Sequence, residues 1–307
     1  MIGFLLRRLA VALPTLLLVI AAAFFMMRAA PGGPFDTDRK LSPEIERNVM
    51  AKYGLDQPLP VQFGNYLADV ARGDFGPSLK YKDKTVAAII ADSWRPSATI
   101  GLSALLIAAV VGVSLGVMAA LRQNRPADYA VMAVAVVGVC IPTFVTAPLL
   151  IVGIGLTLGW LPSGGWNDGA AANLVLPVTV LALPQIAIIS RLTRAGMIEV
   201  LRSNYIRTAR AKGLSEGRIV TRHALRPALL PLVSYIGPAA AGLITGSLVV
   251  EQIFQLPGLG RSFVIGALQR DYTVVMGVVI LYAALILVLN LVSDLLYAAL
   301  DPRVKLA

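Results

Sequence analysis

Charge is scarce in this chain. Asp, Glu, Lys and Arg make up 14% of its 307 residues, against about 25% in an ordinary soluble domain. Histidine and cysteine occur once each, as His223 and Cys140, and the dipeptide Gly-Lys does not occur. Each scarcity excludes a chemistry. One cysteine allows no intrachain disulfide, and inside an apolar run it reads as a small packing residue. One histidine without a neighbouring cysteine cannot build a zinc site. Without Gly-Lys there is no G-x-x-x-x-G-K-[ST] phosphate loop, so ATP hydrolysis by that route is closed. A G-x-S-x-G match, Gly112 to Gly116, lies within an apolar run. It lacks the strand–turn–helix setting and the histidine base of a hydrolase. No metal, cofactor or nucleophile–base set is expected, and an enzyme is excluded.

What is abundant is apolar length. Six uncharged stretches, 9–27, 96–121, 129–167, 169–190, 227–250 and 272–293, each run 19 residues or more. About 20 residues cross the hydrocarbon as a helix. A soluble core helix would carry a polar face, and these runs have almost none. The first run follows Arg7 and Arg8 and exceeds the apolar core of a cleaved signal, so it reads as a retained span. The fold class is all-α, polytopic, with six transmembrane helices.

The formal net charge of +10 invites a nucleic-acid reading, which its placement rejects. Residues 191–226 carry nine basic and two acidic side chains, whereas 31–96 balance nine against nine. The excess therefore sits on alternate connections, as the positive-inside rule requires. The run 129–167 decides the topology. Gly159-Trp160-Leu161-Pro162-Ser163-Gly164-Gly165-Trp166 is turn-forming, with tryptophans suited to the membrane interface. One span, roughly 129–156, is expected there, which puts both termini and the +7 loop in the cytosol.

Three regions follow: residues 1–30 as the first span, 31–95 as a small extracytoplasmic cap, and 96–307 as the core with its cytosolic loop 193–226. In the cap, helices are expected over 44–53, near 67–71 and over 86–93. The pairs Gly112-x-x-x-Gly116 and Gly242-x-x-x-Gly246 predict close helix packing. Only Asp294 places a carboxylate within a span, which gives a proton-coupled carrier little support.

The basic loop has its own mechanics. Ala209 and Ala211 favour helix, Gly213 is a left-handed stop, and Ser215 can cap a new helix with Glu216 at its positive end. Two short helices with a sharp bend are predicted. Arg218, Arg222 and Arg226 recur every four residues and make one basic face, suited in part to anionic lipid.

Arg207-Thr208-Ala209-Arg210-Ala211-Lys212-Gly213, followed by His223-Ala224-Leu225, resembles the cytosolic signature loop of binding-protein-dependent ABC importer permeases. In the wider superfamily that loop opens Glu-Ala-Ala. Here Arg207-Thr208-Ala209 takes its place while Gly213 keeps the spacing, as in the peptide and nickel branch. Phe25–Phe35, Gly73–Ser78, Val250–Phe254, Pro257–Gly260, Arg270–Tyr272 and Tyr297–Arg303 resemble the same branch, and the combination of Lys80-Tyr81-Lys82-Asp83 with Trp160–Asn167 resembles its oligopeptide members most. Dipeptide, glutathione and nickel relatives share much of the frame.

The resemblance implies a type I importer permease without catalytic activity, half of a heterodimeric pore in the bacterial inner membrane. Its partners would be a second permease, two ATPase subunits and an extracytoplasmic peptide-binding protein. Arg207, Ala209, Gly213, Leu214, Ser215 and Glu216 are the expected coupling residues. Glu251, Pro257, Gly258, Gly260, Arg270 and Asp271 are the expected contacts for the binding protein or pore mouth.

Overall fold

The computed structural model describes residues 2–29, 56–81 and 83–300, and the helix expected over 44–53 lies outside them. The described residues are helical apart from turns and one isolated bridge, Pro77 to Thr85. In chain order the helices are α1 (Ile2–Ala29), α2 (Leu59–Ala71), α3 (Val86–Leu121), α4 (Pro126–Cys140), α5 (Thr143–Leu150), α6 (Ala171–Leu201), α7 (Asn204–Ala211) and α8 (Glu216–Arg218). Then follow α9 (Leu225–Ala228), α10 (Leu230–Gly246), α11 (Leu248–Ile253), α12 (Leu259–Leu268) and α13 (Tyr272–Leu300). Wider π turns extend α5 through Thr157 and α8 through Ala224.

Five helices are long and apolar enough to span a bilayer: Leu6–Ala29, Val86–Leu121, Ala171–Leu201, Leu230–Ile253 and Tyr272–Ala299. The run expected as one span over 129–156 is instead two helices bent by 99°. The cause is Ile141-Pro142. A residue before proline avoids the helical region, and proline has no N–H to continue the ladder. Ile141 is accordingly extended, at φ −86° and ψ 115°. Counted together, the bent pair makes the sixth span.

A second correction concerns residues 86–93, expected as a separate short helix. They are the first turns of α3, started by the Thr85 hydroxyl accepting from the Ala88 N–H at 3.2 Å. At 1.5 Å per residue, 36 residues reach about 54 Å, well beyond the hydrocarbon. The start of α3 therefore stands out with α2 at one end of the bundle, the cap end. The elbow 204–228 marks the other. Arg8 meets Asp294 at 2.8 Å, so the start of α1 and the end of α13 lie together at the elbow end.

Helix α3 packs most extensively on α6. A Cβ on Gly116 would lie 2.6 Å from both the Ser190 carbonyl and Thr193 Cβ. The first small-residue pair thus brings backbones together as expected. At Gly242, of the second pair, a Cβ would meet nothing within 4 Å among the described residues. Helix α10 instead approaches α13 through Gly237, where a Cβ would fall 2.4 Å from Ser293 Cβ. Trp160 is exposed as an interfacial residue would be, but Trp166 packs against the central core around Ile100, Leu176, Leu243 and Phe254.

Candidate functional site

The elbow is built by two short helical pieces meeting at a left-handed glycine. Helix α7 ends at Ala211 with Lys212 as its C-cap, and Gly213 adopts φ +76°. The Gly213 N–H donates to the Arg210 carbonyl at 2.9 Å and the Leu214 N–H to the Ala209 carbonyl at 3.3 Å. This is the paired closure that satisfies the last carbonyls of a helix. Ser215 then starts α8, its carbonyl accepting from Ile219 N–H at 3.0 Å. Its hydroxyl makes no capping bond, contrary to expectation. Across the bend, Arg210 reaches Glu216 with two bonds of 2.7 and 3.2 Å and straps the pieces together. Those bonds hold the Glu216 carboxyl below the usual glutamate range and raise the Arg210 guanidinium.

The elbow has a core of its own. Ile206, Ala209, Ile219, Ala224 and Ala228 are buried together with Met197 of α6 and Ala120 of α3, and Leu214 packs on this cluster. A Cβ on Gly196 would lie 2.3 Å from the Ala228 carbonyl, so α6 and α9 touch backbone to backbone. A push on the elbow is therefore delivered directly to the ends of α3 and α6. Among the expected coupling residues, Arg207, Gly213, Ser215 and Glu216 are exposed and Leu214 is half-buried. Ala209 is not a surface residue; it fills the elbow's interior. Arg218, Arg222 and Arg226 are all exposed. His223 is half-buried, and its carbonyl accepts from the Tyr205 hydroxyl at 3.4 Å.

A buried ion pair adjoins the elbow. Arg194 of α6 donates to both oxygens of Asp128 on α4, at 2.5 and 2.7 Å, and the Asn124 N–H adds a third bond at 2.9 Å. Asp128 is 1% exposed. Sequence reasoning passed over this pair, although Asp128 is the one acid in the basic connection 122–128 and Arg194 the first turn of charge after an apolar run.

At the cap end, two buried carboxylates flank helix α12 in the chain, and one of them bonds its first turn. Glu251 accepts from Ser97 at 2.6 Å, from Ser247, and from the Arg261 N–H at 3.2 Å. Ser97 in turn accepts from the Leu259 N–H at 2.8 Å. Only glycine fits above this carboxylate, since a Cβ on Gly258 would lie 2.2 Å from Glu251 Oε2. Asp271 accepts from Ser78, from the Leu79 N–H at 3.2 Å and from the Val274 N–H at 3.3 Å. It thereby caps α13 while anchoring the 77–80 turn.

Of the six residues expected as contacts for the binding protein or pore mouth, four are buried. Glu251 and Asp271 are 0% exposed, and Gly258 and Gly260 are buried, whereas Pro257 and Arg270 are exposed. Asp294 is also not the lone carboxylate of a span, because Glu251 lies within 230–253. Among the described residues no group of His, Cys, Asp and Glu could hold a metal.

Comparison with known proteins gives this architecture a family. The oligopeptide transport system permease protein OppB of Salmonella typhimurium is 54% identical over 305 residues, covering 99% of this chain and 100% of that protein. The dipeptide transport system permease protein DppB of Bacillus subtilis is 42% identical over 292 residues, covering 95% and 94%. A chain of the inward-facing MetNI methionine ABC transporter shares the fold, with a TM-score of 0.59 at 19% identity over 69% of this chain and 96% of that one. The N-terminal family of binding-protein-dependent transport system membrane components matches residues 1–94. Residues 112–306 match its companion. The chain belongs to the family of binding-protein-dependent transport system inner membrane components, and is a multi-pass membrane protein of that family.

Proposed function

We propose that this chain is the permease subunit of an ATP-driven importer of oligopeptides, coupled to its ATPase partners through the elbow 204–228. The observation that carries the reading is the elbow's construction. It is a rigid, basic projection whose buried side is continuous with α3 and α6 and whose bend is exposed. The 54% identity to OppB over full length supports the oligopeptide class over the dipeptide one, where identity is 42%.

The loop asymmetry in Lys and Arg supports a cytosolic elbow and cytosolic chain ends. Two ATPase subunits closing on nucleotide draw this elbow toward that of a second, homologous permease. Because the elbow shares a core with α3 and α6, those spans tilt with it, and the cavity between permeases turns outward to receive peptide from an extracytoplasmic binding protein. This chain performs no covalent step. Pro257 and Arg270, exposed beside the latched helix α12, are the contacts offered to that binding protein.

The test is the complete complex in proteoliposomes, with peptides of two to six residues supplied alongside the binding protein. Uptake and ATPase stimulation by the longer peptides are expected. Stimulation by dipeptides alone, or gradient-driven uptake by this chain without ATPase partners, would overturn the assignment.

A further inference from the structure

The cap end holds a cavity of about 320 Å³ between the last turns of α1, helix α2, the 74–79 turn and the first turn of α13. Among the described residues, two hydrogen-bond donors on its walls have no acceptor. Arg28 is half-buried with its guanidinium 5.2 Å from the centre of the Phe24 ring, and among the described residues no acceptor binds it. The Tyr66 hydroxyl is buried and without a partner. Burial pushes this phenol up, so it stays a donor at neutral pH. The two rings, Phe24 and Tyr66, stand 6.0 Å apart, which keeps both donors on one side of the cavity. Buried polar atoms are almost always satisfied in folded proteins, so a pair of idle donors facing one space points to an acceptor that belongs there.

The opposite charge is present too. Asp69 and Asp74 also line the cavity. Asp69 is held only loosely, 3.8 Å from Arg72 on the exposed side of α2, and Asp74 accepts from the Gly76 N–H at 2.8 Å. A bare anion would meet repulsion from these carboxylates. A group that carries both an oxyanion and a cation meets donors and acids in the one space.

The location narrows the source. Helix α1 is the least enclosed of the five unbroken spans, and Phe25 and Met26, on the same turn as Phe24, are exposed as lipid-facing residues are. We propose that this cavity binds the headgroup of a zwitterionic phospholipid from the leaflet at the cap end. The phosphodiester accepts from Arg28 and Tyr66, and the headgroup cation lies toward Asp69 and Asp74. The bound lipid fills the seam between α1 and α2 and fixes α2 to the bundle. A zwitterionic peptide carries similar chemistry, and the experiment separates the two sources.

The test uses the complete complex, purified and stripped of lipid in detergent, with native mass spectrometry during titration with phosphatidylethanolamine. A galactosyl diacylglycerol with the same acyl chains serves as the phosphate-free probe, and a short peptide as competitor. Arg28→Gln is expected to remove one retained phospholipid, weakening that copy about tenfold, the scale of a charge-assisted bond. Tyr66→Phe, which deletes one oxygen and leaves the aromatic packing intact, is expected to weaken it about threefold. The galactolipid should bind all variants alike and more weakly than the phospholipid. Unchanged phospholipid retention in both variants, equal binding of the galactolipid, or full displacement by peptide would each overturn the proposal.

Discussion

Removing either partner of the Asp128–Arg194 pair should have unequal consequences. The carboxylate is 2% exposed in its side chain and the guanidinium 25%. Arg194→Gln strands a buried carboxylate that no water can reach, a situation that costs about 3–5 kcal/mol. The quarter-exposed geometry favours the lower end, about 3 kcal/mol. Asp128→Asn strands a guanidinium that can swing toward the lipid headgroups at the elbow end. It loses two charge-assisted bonds but keeps a hydrogen-bond acceptor, for about 1–2 kcal/mol. The double variant should fall short of the sum by about 1–2 kcal/mol, since the second change removes a group already without its partner. Unfolding of a multi-subunit membrane complex is a rate rather than an equilibrium, so the measurement is the half-life of the assembled complex at one elevated temperature. With 1.4 kcal/mol per tenfold, Arg194→Gln shortens it up to about 100-fold and Asp128→Asn about tenfold. Equal effects of the two changes, or strict additivity in the double variant, would refute the idea that a buried and a half-open charge share one bond.

Four further outcomes are expected. Gly213→Ala should cost about 1–2 kcal/mol of elbow stability through its left-handed φ alone, because a Cβ there meets nothing within 4 Å; Gly213→Asn should recover most peptide-stimulated ATPase activity, and equal loss in both would contradict this. Ala209→Leu overfills the elbow's core by about 1–3 kcal/mol, so protease sensitivity at 204–228 should rise even in the permease pair without ATPases. Glu216 should titrate below an ordinary glutamate by carboxyl NMR: its folded pKa is depressed, so the strap to Arg210 is complete above the ordinary value and is lost as pH falls through the lowered one. Arg210→Gln should return it to normal. Gly116→Leu should abolish stable assembly, whereas Gly242→Leu should leave this chain's own helix packing intact, as judged by thermal melting.

Much of this was legible before any coordinates. The spans follow from hydropathy, which the bilayer reads over some 20 residues at once. Gly213 was legible because a left-handed position selects glycine locally. The bend at Pro142 was overlooked although its cause is local, because apolar length masks a break inside it. The strap from Arg210 to Glu216 was within reach of spacing, yet a capping serine looked the simpler closure. The latches were not legible. Ser78 and Asp271 are 193 residues apart and Ser97 and Glu251 are 154 apart, and nothing in either neighbourhood announces the other. Glu251 and Asp271 are legible as charges beside a loop, but their burial is not.

Those long separations set an order on biogenesis. The serines emerge from the ribosome and insert with the early helices, while their acceptors are still untranslated. The Glu251 seal can close once Arg261 is made, and the Asp271 seal only once α13 has begun. A truncated or stalled product would display the unclosed region to surveillance proteases, whereas the finished polypeptide hides both carboxylates. The two buried carboxylates are thus closed over only late in synthesis.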